Sequence, residues 1–262
     1  MSALDMLLKQ FGEQQVLGFF AVMARIVPLF LVAPFFSSRS MPPRVRGIAA
    51  VALTIGLAPV VTKGMHVPES VSGIVTLMGK ELLVGFSYAF VLACFFAAVQ
   101  TAGTFLDFTV GFSFGSLVDP ITGNNSALIS QMYTMVAVAI FIAIGGDEWM
   151  IQGLARTYDI VSIEQMPSID AMVEGALDAF CQIFVSAIEV AGPIFLAMVI
   201  TDAAFGMVSR VAPQLNVFSV GFTVKIGVGL VLLGMTFPYV AEWMDGNLQS
   251  SVADALRTIK VA

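Results

Sequence analysis

Apolar residues in this chain come in long runs separated by short polar gaps. Six runs stand out, at roughly 16–36, 45–61, 82–106, 127–144, 176–200 and 217–241. Most reach or approach the ~20 residues that an α-helix needs to cross a bilayer's hydrocarbon. They are too long for strands and lack the two-residue alternation of a membrane barrel. The pattern predicts an all-α integral membrane protein. Ahead of the first run, Leu4, Leu7, Leu8 and Phe11 fall at helical spacing, with Asp5, Lys9, Gln10, Glu13 and Gln14 elsewhere on the wheel. Residues 1–15 therefore read as an amphipathic helix that lies at the interface or extends the next helix. The first residues lack the basic stretch of a cleavable signal peptide, so the apolar runs are expected to act as their own targeting signals.

The runs are punctured. The first holds Arg25, Pro28 and Pro34; the second begins at Arg44-Val45-Arg46 and ends near Pro59; the fifth holds Glu189 and Pro193; the sixth holds Lys225 and approaches Pro238. A charge at mid-membrane costs about 2.5–3.5 kcal/mol, against a gain of about 0.3–0.6 for each large aliphatic residue. One charge per run is tolerable, but each asks for a protein or water partner. The prolines predict kinked and broken helices. Loop charges do not fix an orientation. With six simple crossings, Lys9, Lys63, Lys80, Arg156, Arg257 and Lys260 fall on one side, and Arg39, Arg44, Arg46 and Arg210 on the other. So even a division fits hairpins buried among partner subunits better than six independent spans.

Composition narrows the class further. Of 262 residues, 58% are hydrophobic and only 11% charged, with a formal net charge of −6; mean hydropathy is +0.93. Soluble domains carry about 25% charged residues, so this chain cannot cover a water-facing globule. No basic patch suits nucleic acid. The two cysteines, Cys94 and Cys181, both lie in apolar runs and read as small core hydrophobes. The short gaps suggest a single membrane domain over 1–262. Within it, 145–175 forms an acidic link carrying Asp147, Glu148, Asp159, Glu164, Asp170 and Glu174 against Arg156 alone, with a break near Met166-Pro167-Ser168.

Catalytic chemistry is hard to find. The one histidine, His66, sits in a turn between Lys63 and Pro68, where a solvated role is expected. There is no cluster with metal-ligand spacing and no phosphate-binding glycine loop. Gly145-Gly146-Asp147-Glu148 is similar to a cyclase signature, but no soluble α/β domain surrounds it, so the match reads as chance. The expectation is a chain with no cofactor and no enzymatic activity.

Two stretches carry more information. Residues 103–125 form a glycine- and phenylalanine-rich connection, running Gly103 to Pro120 through Asp107, Gly111, Phe112, Ser113, Phe114 and Gly115, followed by the capping candidates Asn124-Asn125-Ser126. So apolar a loop should be buried in protein. It is either a tight helix–helix connection or a plug whose phenylalanines fill a pore. The second stretch, Asp202 to Lys225, places Pro213, Gln214 and Asn216 between apolar helices, with Asp202, Arg210 and Lys225 able to neutralise one another or partner chains.

At these residues the chain resembles the FliR family of flagellar export-gate proteins, which has counterparts in injectisomes. The resemblance spans essentially the whole chain: Ala24-Arg25-Ile26 with Ala33-Pro34, Met41-Pro42-Pro43-Arg44-Val45-Arg46, the Gly103–Pro120 region, and most specifically Val211-Ala212-Pro213-Gln214-Leu215-Asn216-Val217-Phe218. The pattern departs at Asp147-Glu148, where many relatives carry a histidine, and at Val161-Ser162, where a proline is usual. The resemblance implies helical hairpins within a hetero-oligomeric gate with FliP and FliQ, associated with FlhB and FlhA. It also implies passage of unfolded flagellar proteins at the bacterial inner membrane, in the flagellar basal body. It assigns the plug role to Gly111, Phe112, Ser113, Phe114 and Gly115; Arg25, Asp107, Asp202, Arg210, Pro213, Gln214, Asn216 and Lys225 stand beside them as candidate buried-charge or structural residues read from the sequence. An injectisome gate subunit is the near alternative. A small-solute transporter is the distant one, since the paired broken helices of such transporters are not evident.

Overall fold

Helices account for nearly all of the computed structural model, which describes residues 13–37, 41–63, 68, 70–113, 128–212 and 217–261. In chain order these are α1 (Glu13–Val32), α2 (Pro34–Ser37), α3 (Pro43–Val61), α4 (Val71–Val110), α5 (Leu128–Ala143), α6 (Gly146–Ile160), α7 (Ile169–Val211) and α8 (Val217–Arg257). Among the described residues, five helices are long and apolar enough to cross a membrane, or six if the broken pair α5–α6 is taken as one span. The all-α membrane architecture read from the sequence is thus present. Most of the expected amphipathic segment 1–15, together with His66 and Asn124 to Ser126, lies outside the described residues.

The helices outrun the apolar runs. α4, α7 and α8 reach 40, 43 and 41 residues. Their extensions carry polar residues among the apolar ones, so hydropathy alone truncates them. At the end of α8, Met244, Leu248, Val252 and Ala255 are buried at three- and four-residue spacing among polar neighbours. The acidic link expected over 145–175 needs correction for the same reason. Residues 146–160 form α6, whose Met150, Leu154, Thr157 and Tyr158 are buried on one face while Glu148 and Asp159 stay exposed. Asp147 and Glu148 in its first turn favour the helix N-terminus.

Pro28, Pro59, Pro193 and Pro238 all lie inside continuous helices. The breaks fall elsewhere. One is at Ala33, before Pro34, which opens α2 at the position where a missing N–H matters least. Another is at Ile144-Gly145, where Gly145 takes φ +70°. The glycine pair at 145–146 is therefore a helix-breaking turn: Gly145 adopts the left-handed conformation, and Gly146 leaves room for the Phe141 ring.

The chain divides into two compact units. The first comprises residues 1–94, 147–180 and 249–262; the second comprises 95–146 and 181–248. In the first unit α1 packs on α3, whose buried face is the small stripe Ala50, Thr54 and Ala58. Gly18 there lies directly against Thr62. Val22, Ile26, Leu29, Val84, Tyr88, Leu92, Leu154 and Ile259 supply its core. An antiparallel bridge joins Pro167 to Val261, and Ser168 N–H donates to Lys260 O at 2.8 Å. In the second unit Val99, Ala102, Leu106, Tyr133, Phe141, Val190, Ile194, Leu233 and Val240 are buried.

A β-branched residue at Gly145 would be held in the left-handed region at a cost of about 1–2 kcal/mol. Gly145→Val is expected to lower the thermal midpoint of the detergent-solubilised protein, followed by tryptophan fluorescence, while Gly145→Asn lowers it less. Equal midpoints for the two variants would show that the left-handed conformation at Gly145 does not matter to stability.

Candidate functional site

The punctures in the apolar runs acquire partners. In the first unit, Arg25 of α1 and Glu81 of α4 are both fully buried. The guanidinium fork donates Nε to Glu81 Oε2 at 2.6 Å and Nη2 to Oε1 at 2.9 Å. Its remaining arm, Nη1, donates to Thr157 Oγ1 at 3.3 Å and to the Val161 carbonyl at 2.9 Å. The Tyr158 ring lies beneath it, 4.0 Å from Cζ to the ring centre. One cation thereby joins α1, α4 and the C-terminal end of α6. Lys80, next along α4, donates to the carbonyls of Ile163 and Gln165 and lies 3.9 Å from Glu81. It pins the loop after α6. Gly85, one turn beyond Glu81, is close to the Arg25 backbone carbonyl, and a side chain there would collide with it. Tyr88 completes the row, its hydroxyl donating to Met150 O at 2.9 Å.

The second unit holds a different device at the start of the glycine-rich connection. Asp107, fully buried near the end of α4, accepts Ile129 N–H on Oδ1 and Ser130 N–H on Oδ2, each at 2.9 Å. These amides belong to the first turn of α5, where a helix has N–H groups without intrahelical acceptors and a partial positive charge. A carboxylate more than twenty residues upstream in sequence thus caps α5. Around it, Ser130 Oγ donates to Gln100 O at 3.0 Å and Thr104 Oγ1 lies 3.2 Å from Ser130 Oγ. Gly103 allows the backbones this close, since a Cβ there would meet Ser130 Cα. Four residues past Asp107 the chain turns at Gly111, which is buried and has φ +105°. Gly111 N–H still donates to Asp107 O at 3.2 Å. Phe112 and Ser113 are half-buried; Phe114 and Gly115 lie outside the described residues.

Further along the second unit, Pro193 leaves the Glu189 carbonyl without its helical donor, and Tyr239 Oη of α8 supplies one at 3.2 Å. The Glu189 carboxylate accepts Trp243 Nε1 at 3.1 Å, and the Trp243 ring stacks on Phe95 at 5.6 Å. Of the three charges grouped from the sequence, Asp202 and Lys225 pair at 2.8 Å, with Asp202 about half exposed. Arg210 is exposed and forms no ion pair among the described residues. Pro213, Gln214 and Asn216 lie outside them. The sequence had flagged Arg25, Asp107, Glu189 and Lys225, but not Glu81, Ser130, Tyr239 or Trp243. Glu81 adjoins Lys80 at what looked like the edge of an apolar run, so it passed for a solvated end. The helix in fact starts ten residues earlier.

Known proteins share this arrangement of sequence. Residues 16–251 match the profile of the bacterial export proteins, family 1. The chain is 31% identical to the flagellar biosynthetic protein FliR of Pectobacterium carotovorum over 241 residues, 92% of each chain. It belongs to the FliR family of bacterial export proteins. The Escherichia coli K12 FliR is 29% identical, again over 92% of each chain. The surface presentation of antigens protein SpaR of Shigella flexneri is 26% identical over 78% of each. In this FliR-family member the matched range takes in Arg25, Glu81, Asp107 and Glu189 alike.

Removing one member of a buried, hydrogen-bonded ion pair costs about 3–5 kcal/mol, whereas replacing both by apolar residues of similar volume is far milder. Arg25→Met and Glu81→Leu are each expected to deplete the protein from membranes, and the double variant is expected to recover much of the loss. Immunoblotting of membrane fractions reads this. A double variant as depleted as the worse single one would show that the pair does not act as a unit.

Proposed function

We propose that this FliR-family chain is a non-enzymatic subunit of the flagellar type III protein export gate. In this reading it sits in the bacterial inner membrane at the flagellar basal body and combines with FliP and FliQ to form the channel for unfolded flagellar proteins. FlhB and FlhA associate with that channel. The observation that carries the reading is the likeness to flagellar FliR proteins over 92% of both chains. The likeness to the SpaR protein is weaker and shorter, which favours the flagellar apparatus over an injectisome.

Surface chemistry supports an assembled state. The most apolar windows of α3 and α8 are only 17% buried, against 61% for α4. α7 exposes Leu177, Phe180, Phe184, Ile188, Phe195, Leu196 and Ile200. Among these large side chains lie the exposed polar residues Gln182, Glu189 and Asp202, which suit protein neighbours better than lipid alone. The region beginning at Gly111 serves in this reading as the plug, with Phe112 and Phe114 blocking water and ions at rest and the glycines permitting displacement by cargo.

Two outcomes follow. Co-expression with FliP and FliQ is expected to yield a stable complex on affinity purification; a well-behaved monomer that ignores both would overturn the gate assignment. Deleting residues 111–115 is expected to leave that complex assembled but to depolarise cells, read with a membrane-potential dye. An assembled deletion that holds its potential would end the plug role.

A further inference from the structure

We propose that Asp107 is the positioning residue that holds α4 and α5 shut as the stem of the plug connection, and that this stem stays shut while the gate conducts. Movement of the plug then turns at Gly111 and does not require α4 and α5 to part. The inference rests on the plug reading above but concerns the stem, all of whose residues are described.

Three features converge on one helix–helix contact. The Asp107 carboxylate is fully buried and spends both oxygens on the first-turn amides of α5. An anion at a helix N-terminus interacts with the dipole as well as with the individual N–H groups, and charge-assisted hydrogen bonds are the strong kind. Opening the stem would leave a desolvated carboxylate and two amides without partners, which apolar surroundings penalise heavily. Beside it, Thr104, Ser130 and the Gln100 carbonyl form a hydrogen-bonded chain, and Gly103 lies so near Ser130 that a Cβ there would collide with the Ser130 backbone. The softest point is adjacent but outside this contact. Gly111 already adopts φ +105°, and its backbone can rotate through values closed to other residues. The contact resists parting on one side of Gly111, while Gly111 itself holds a backbone conformation that few other residues tolerate.

The geometry also supplies a covalent substitute. Thr104 Oγ1 and Ser130 Oγ are 3.2 Å apart, so cysteines at these positions fall within disulfide reach. The test uses the full chain co-expressed with FliP and FliQ in a Cys94→Ala, Cys181→Ser background, reading membrane potential and secretion of a flagellar substrate. Asp107→Ala is expected to raise resting ion leak several-fold in assembled complexes. Adding Thr104→Cys and Ser130→Cys and oxidising with copper phenanthroline is expected to suppress that leak, and dithiothreitol to restore it. With Asp107 intact, the oxidised cysteine pair is expected to secrete at the same rate as its reduced form.

An oxidised pair that stops secretion, with recovery on reduction, would overturn the inference, because the stem would then have to open. So would a tight Asp107→Ala gate in cells where the 111–115 deletion leaks. A non-leaking 111–115 deletion would instead sink the plug reading itself, so the two failures are separable. Should Asp107→Ala fail to assemble, secretion by the oxidised pair with Asp107 intact decides the matter alone.

Discussion

A guanidinium removed from water has to have its donors answered by its own fold, and the first unit is arranged around that requirement. Arg25 reaches Glu81 with two arms and the end of α6 with the third, so α1, α4 and α6 cannot separate without stranding a charge. The planar fork explains the choice of arginine. A lysine ammonium could pair with Glu81 but could not also hold Thr157 and Val161 in fixed directions. The neighbouring Lys80 does what a point charge does well, gathering the two loop carbonyls of Ile163 and Gln165. Such a pair is weak evidence for stability in itself. Its value lies in specifying which helices meet, in a chain where apolar packing alone would tolerate many arrangements.

The second unit meets the same constraint with a different donor. Asp107 is answered by backbone amides, which no substitution in α5 short of proline can remove. That makes the start of α5 an obligate partner of the end of α4, whatever side chains surround it. Gly103 and Gly111 serve opposite ends of this arrangement. The first is small so that backbones can touch; the second is glycine because of its conformation. Two residues of one type, eight positions apart, thus carry unrelated physical duties.

The fold class was legible in the sequence because hydropathy is a local property and the runs are long. That charges lie inside the apolar helices was legible too, since Arg25 and Glu189 interrupt otherwise apolar stretches. Their partners were not. Glu81 stands 56 residues from Arg25 and Trp243 stands 54 from Glu189, and no periodicity links residues so far apart. α6 was hidden by its acidic surface, although Met150, Leu154, Thr157 and Tyr158 repeat at helical spacing. Counting charge without testing periodicity turned an amphipathic helix into a link. The glycine- and phenylalanine-rich connection was flagged by composition, but composition could not show that Asp107 caps α5.

Pro193 links the backbone of α7 to a particular turn of α8. By withholding one amide it exposes a carbonyl, and Tyr239 fills the gap while Trp243, one turn on, takes the carboxylate of the same residue. Two contacts spaced by a helical turn on α8 and converging on a single residue of α7 define an axial register. These segments cannot slide or rotate past one another without losing both contacts together. A displacement here that preserves both contacts must carry the two helices as a coupled pair, like the leaves of a door sharing one bolt, so a defect that looks like an interruption in α7 in fact sets its phase with α8.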